Sequence, residues 1–197
     1  MIIQYQLARR AIAECLRNRP QLNQIVAKHV TDWEAKHANG SNGPLVRDDA
    51  QRCIAVLQAF QLAQNQMDLW QNEYQEPTNP SPSLNINGVE ISVFPDVVAS
   101  TQHKGDNRVG QVFIRCTIVK EGDIHENRRS AANGHLATIA HMHAMQYLTH
   151  LGSPHAPTSM VIDVPRQTIV KGSPNYAQRV ANIEAACTMI AAIWPNV

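Results

Sequence analysis

Apolar positions along residues 3–72 recur at steps of three and four, and from Leu84 onward the pattern changes to alternation and short unbroken runs. The first period predicts helices, because residues three and four apart share one helical face. Leu7, Ile12 and Leu16 mark a helix over 3–18. Pro20 ends it or opens the next, since proline is tolerated in a first turn. Leu22, Ile25, Val26, His29, Val30 and Trp33 then line a second helix, and His29 on that face reads as a satisfied core histidine. Ala38–Pro44, reading ANGSNGP, is a loop by composition. A third and longest helix is predicted over 46–72, striped by Cys53, Val56, Leu57, Phe60, Gln64, Met67 and Trp70. Asp48 and Asp49 near its start suit the positive end of the helix dipole.

Glu76–Ser83, EPTNPSPS, carries three prolines in eight residues and is expected to run as an extended connector. Beyond it, Asn87-Gly88 marks a two-residue hairpin turn, because both residues accept positive φ. Leu84–Ile86 should therefore pair with Val89–Phe94. A further strand over Asp96–Ser100 leads through the polar turn TQHKGDNR to a long central strand, Val109–Val119. There Val112, Ile114, Cys116 and Ile118 point one way, and Gln111, Phe113, Arg115 and Thr117 the other. Val89–Val119 is the stretch around which the rest is expected to organise, with Asp96 brought near the face of Gln111, Phe113 and Arg115. Lys120–Arg129 reads as a polar loop, and Ala131–Leu151 as a helix with Leu136, Ile139, Ala140, His143, Tyr147 and Leu151 as its stripe. MVIDV at 160–164 has the unbroken apolar character of a strand buried on both faces. Gln167–Lys171 is its shorter partner, and Asn175–Trp194 a last helix striped by Val180, Ile183, Cys187, Ile190 and Trp194.

The order predicts an α+β fold with α/β-like character: a helical region over 1–76, then a mixed central sheet flanked by helices over 77–197, the two forming one domain overall. At 197 residues the chain can bury roughly 70% of its unfolded surface, enough for a core without disulfide or metal. A net charge of +1 points away from a nucleic-acid-coating or membrane-surface protein, while leaving room for a local basic groove. No apolar run nears the ~20 residues of a membrane span, and MIIQYQLARRAI lacks the pattern of a secretory signal. Cys15, Cys53, Cys116 and Cys187 stand apart in apolar surroundings, which predicts reduced, buried thiols and a cytoplasmic setting.

The element order, with Phe94-Pro95-Asp96 followed by Val109-Gly110-Gln111-Val112-Phe113, resembles the PD-(D/E)xK nuclease superfamily, in particular its RecB-like and Cas4-like branch. The resemblance covers about 46–194 and implies a restriction-endonuclease-like core. In that family an aspartate at a strand end and a (D/E)xK on the next strand hold Mg²⁺ against the scissile phosphate and set the attacking water, which needs alternate residues on one face. Asp96 fits the first carboxylate and is the candidate metal ligand. Gln111, a neutral amide, stands at the second, and Phe113 at the lysine. Arg115 shares their face, but its pKa is too high for a general base. The resemblance thus implies the fold with a decayed site: a pseudo-nuclease in nucleic-acid processing or defence, non-catalytic or weakly active. One alternative is an active Mg²⁺-dependent nuclease using Asp96 with a displaced carboxylate, for which Glu90, Glu121 and Asp123 are candidates, with Lys120 beside them. Another is an interaction or scaffold module without a nucleic-acid role. A protein partner or a second copy of the chain is expected.

The remaining chemistry is spread out. His135, His141, His143 and His150 are separated by gaps of 6, 2 and 7, so no two have the i, i+4 or i, i+3 spacing of helical metal ligands. By analogy with the family, His135 or His141 would face the Asp96 site. Arg128, Arg129 and Lys171, with Arg115 and Arg166, are candidate phosphate contacts. Asp163 lies inside an apolar run, where a carboxylate is expensive unless paired, so it either caps the strand end or pairs with a cation. No nucleophile elbow, phosphate loop or glycine-rich cofactor fingerprint is present.

Overall fold

The computed structural model describes residues 5–118 and 123–194. The three N-terminal helices form: α1, Gln6–Arg17; α2, Leu22–Ala38; and α3, Pro44–Ala63. Pro20 lies in a short 3₁₀ turn joining the first two, and Pro44 opens α3, where its missing N–H loses no helical bond. His29 is satisfied by Glu14 Oε2 at 2.9 Å. α3 stops at Ala63, short of the predicted residue 72. The apolar spacing runs on because Met67 and Leu69 stay buried against the same core through the turns that follow, with Asp68 at a φ of 50°. Asp49 does not serve the helix dipole. Its carboxylate accepts the Tyr5 N–H at 3.1 Å and ties α3 to the start of α1.

A short strand that the pattern hides, β1 (Glu73–Gln75), precedes the proline connector. β2 (Leu84–Ile86) and β3 (Val89–Ile91) form the expected hairpin about Asn87 and Gly88, at φ 51° and 83°. β4 (Val97–His103) and β5 (Asp106–Arg115) turn at Lys104 and Gly105. These strands extend into the polar stretch because their hairpin end is exposed, and polar side chains suit it. After β5, α4 (Asp123–Tyr147) starts earlier than predicted, inside what composition marked as loop. Then come β6 (Ser153–Pro154), β7 (Met160–Asp163), β8 (Thr168–Lys171) and α5 (Ala177–Ile193). All four β7 residues are buried, as an unbroken apolar run requires.

The main sheet runs β1-β4-β5-β7-β8, with β6 also on β5. β5 is antiparallel to β4 and parallel to β7, and α4 makes the crossover between them. Val97, Ala99, Val112, Ile114, Met160 and Ile162 pack against α1–α3. On the other face Val98 and Val109 meet Ala144 of α4 and Leu148 just after it. Phe113 joins a cluster with Ile86, Ile183 and Cys187, which sets the small hairpin and α5 on this side. The result is a mixed α+β fold with helices on both faces of a mixed sheet. One buried cluster runs from Tyr5 to Val164, so the helical region and the sheet share a core.

Two stripes differ from the pattern. α4 buries Ala137, Ala140 and Ala144, small residues that let the helix approach the sheet closely, and Leu148 is buried just past its end. α5 buries only Ile183 and Cys187 and leaves Ile190 and Trp194 exposed at 46% and 74%. No helix among the described residues is long and apolar enough to cross a membrane.

Candidate functional site

Asp96 follows Pro95, and its own N–H donates to Val112 O at 2.9 Å, extending the β4–β5 ladder by one residue. The carboxylate turns back to the sheet edge, where Oδ2 accepts the Ile114 N–H at 2.7 Å. Arg9 of α1 completes the site, donating from Nε to Oδ1 at 3.2 Å and from Nη2 to Oδ2 at 3.1 Å. Burial pushes the Asp96 carboxyl above the ordinary carboxylate range, against the pull of the Arg9 guanidinium and the Ile114 N–H.

Asp96 therefore does not join Gln111, Phe113 and Arg115. Gln111 faces α4, is 2% exposed, and donates from Nε2 to His143 Nδ1 at 2.6 Å. His143 Nε2 lies 2.7 Å from Pro82 O. A carbonyl only accepts, so Nε2 carries the proton and Nδ1 is the bare acceptor. Phe113 is core, and Arg115 donates from Nη1 to Asn133 Oδ1 at 2.6 Å. Burial and the nearby Arg129 lower the pKa of Arg115.

Asp163 has the cation that its burial demands. Arg129 donates to it from Nε at 2.5 Å and from Nη2 at 2.6 Å, and Asn133 Nδ2 adds a third bond at 3.0 Å. Arg129, expected at phosphates, is thus a buried structural partner, 4% exposed. Of the other candidate cations, Arg128 is exposed and makes no hydrogen bond or ion pair among the described residues, while Lys171 lies 3.4 Å from Asp68.

Neither histidine proposed for the Asp96 site bonds there. His135 Nδ1 lies 2.9 Å from Ala131 O on its own helix, and His141 is buried edge-on to Tyr176. Glu90 is exposed on β3, beside Ile190 and Trp194. Lys120 and Glu121 lie outside the described residues, as does the side chain of Asp123. The Asp96 site does not fit Mg²⁺ as the resemblance implies: its carboxylate oxygens are engaged by Arg9 and Ile114, and Gln111, Phe113 and Glu90 have their contacts elsewhere. Among the described residues no group of three or more His, Cys, Asp or Glu is placed to hold a metal ion. The cysteines are buried, and burial pushes the Cys15 and Cys116 thiols up to about 12, which argues against a thiolate nucleophile.

Arg9 and His143 are the residues that pattern reading missed as members of a site. Arg9 carried no signal beyond an Arg-Arg pair in a helix, and His143 stood in the apolar stripe. Burial holds both His141 and His143 below the ordinary imidazole range. In the unfolded chain each takes a proton near pH 6.5, so below that pH the unfolded state binds more protons and stability falls. The loss levels off once the folded-state rings protonate. Asp96, with its carboxyl raised, works in the opposite sense. Urea unfolding from pH 8 to 5.5 is expected to show a falling midpoint below about 6.5, by up to about 1.4 kcal/mol per pH unit for each histidine. A midpoint that rises over this range would contradict the assignment of neutral buried rings.

Comparison of the chain with protein-family models, with curated proteins and with solved structures returned no match.

Proposed function

We propose that the chain is a PD-(D/E)xK-like domain whose metal site has been replaced by an arginine, acting as a non-catalytic or weakly active component of nucleic-acid processing or defence. The observation that carries this reading is Arg9 on Asp96: the aspartate keeps a cationic partner, but that partner is a guanidinium supplied by α1. Three antiparallel strands, a crossover helix and a parallel strand, with Asp96 at the head of the second strand, support the reading as well. Exposed Arg10 and Arg128 are left for phosphates, and they would contribute salt-dependent affinity. A cytoplasmic setting, in which the four free thiols stay reduced, fits this role.

The test is a cleavage and binding assay on single- and double-stranded DNA and RNA with Mg²⁺ or Mn²⁺. The wild type is expected to bind in a salt-dependent way and to cleave nothing, with Asp96→Ala no different in cleavage. Cleavage by the wild type that is lost in Asp96→Ala would overturn the decayed-site reading in favour of a working metal site.

A second reading, an interaction module working with a protein partner or another copy of the chain, is favoured by one observation. Met189, Ile190, Ile193 and Trp194 are exposed together at the end of α5. Absence of salt-dependent binding to any nucleic acid, with self-association lost in Trp194→Ala, would favour it.

A further inference from the structure

His155 leads from β6 into the 3₁₀ turn Ala156–Thr158, and its side chain joins that turn to β5. Arg108 Nη1 of β5 donates to His155 Nε2 at 3.1 Å, and His155 Nδ1 lies 3.0 Å from Thr158 Oγ1. A guanidinium has donors only, so Nε2 is the bare acceptor. The ring proton therefore sits on Nδ1 and donates to the buried Thr158 hydroxyl. The backbone follows the same path. His155 N–H donates to Val109 O at 2.9 Å, and His155 O accepts the Thr158 N–H at 3.0 Å. Ser159 O then accepts the N–H of Gly172, just past β8, at 2.7 Å.

The bond between Arg108 and His155 exists only while the ring is neutral. A second proton must go to Nε2, where it meets the guanidinium, donor against donor and cation against cation. The groups around the ring add to that repulsion. His103 of β4 acts on His155, and His155 acts on His141 of α4, so bases from several elements converge on it. Asp106 stands opposite His103 at the exposed end of the β4–β5 hairpin, and Lys171 of β8 lies 3.4 Å from Asp68. Burial, then Arg108 and His103, hold the ring below the ordinary imidazole range in the closed turn. In an opened turn it titrates near pH ~6.5, so the closed form is fully favoured above that pH and loses ground below it. We propose that His155 is a pH-sensitive latch: protonation breaks its bond to Arg108 and releases β6 and the turn from β5. Arg108 and Val109 of β5 lie between β4 and β6, so release leaves that stretch an open strand edge. The latch needs no ligand and is independent of the nucleic-acid reading.

The test is nuclear magnetic resonance of the full chain, reading the ring nitrogen shifts of His155 and backbone hydrogen exchange corrected for its intrinsic rate. At pH 8 the ring is expected to carry its proton on Nδ1. Between pH 7.5 and 5.5 the protection of the Thr158, Ser159 and Gly172 amides is expected to fall by about threefold or more. At pH 5.5 these amides should exchange faster than those of Ala140 and Ala144, buried in α4. His155→Gln keeps a neutral acceptor for Arg108, and there the protection of the turn should not change with pH. Should that variant fail to fold, the ring tautomer and the wild-type comparison with α4 still decide. Four results would each overturn the proposal: a proton on Nε2 at pH 8, turn protection that holds at pH 5.5, turn amides that exchange there no faster than those of α4, or the same fall in His155→Gln.

Discussion

Asp163→Ala is expected to destabilise the protein by about 3–5 kcal/mol, because it leaves a buried guanidinium without its counter-charge. Asp163 is fully buried at the end of β7, and Arg129 is 4% exposed. Without the carboxylate, Arg129 keeps only the Thr117 carbonyl, at 2.7 Å. Asn133 loses one of its bonds as well. For a chain of this size the loss corresponds to a fall in Tm of roughly 10 °C. The double variant Arg129→Met with Asp163→Leu removes both charges, and is expected to recover most of the loss, since replacing a whole buried pair by apolar side chains is often close to neutral. Urea unfolding of Arg129→Met, Asp163→Leu and the double closes the cycle. A loss under about 1 kcal/mol in Asp163→Ala would mean that the pair is hydrated. The same variants separate structure from binding. If the proposed nucleic-acid role holds, the folded double variant should bind as the wild type does, whereas Arg128→Ala, which changes an exposed cation, should lower the salt dependence of binding by about one phosphate contact.

The same carboxylate shows what the sequence could tell. A lone charge inside MVIDV announces a buried, paired group, because burial without a partner is too expensive. It does not announce which cation, since Arg129 reaches it from a helix 34 residues earlier. Element order was legible for a related reason: periods of two and of three to four are local, and local sequence sets them. The end of α3 was not, because residues in the turns after a helix can bury their side chains against the same core and prolong the apparent stripe. The site was least legible. Alternation correctly divides Val112 and Ile114 from Gln111 and Phe113, but it fixes only the faces of one strand. Asp96 lies in the irregular entry to β4, and its side chain leaves its expected companions for Arg9, 87 residues away. Gln111, matched by motif to a metal carboxylate, instead has His143 of α4 as its partner, 32 residues on. Both pairings depend on how helices cross the sheet, which no residue spacing encodes.

Gly110→Ala is expected to cost about 3 kcal/mol or more, and Gly110→Val to abolish folding. A Cβ at this position would lie 2.4 Å from Ser159 N and from Thr158 C, and 2.6 Å from Thr158 O. All three are backbone atoms, so no flexible side chain can swing aside. Neither partner can give way cheaply. The Ala156–Thr158 turn is tied to β5 by the bond from His155 N–H to Val109 O, at 2.9 Å. β5 is held on one side by β4, where Gly110 stands opposite Ala99, and on the other by β7, where Val112 stands opposite Met160. Glycine is required here for close approach and not for its dihedral freedom, because no positive φ is recorded at this position. Gly40→Ala is the control: nothing lies within 4 Å of its Cβ and its φ is ordinary, so stability should hold or rise by up to about 1 kcal/mol. Chemical unfolding of the three variants against wild type reads the difference, and a Gly110→Ala midpoint equal to that of Gly40→Ala would refute the close packing of β5 on this turn.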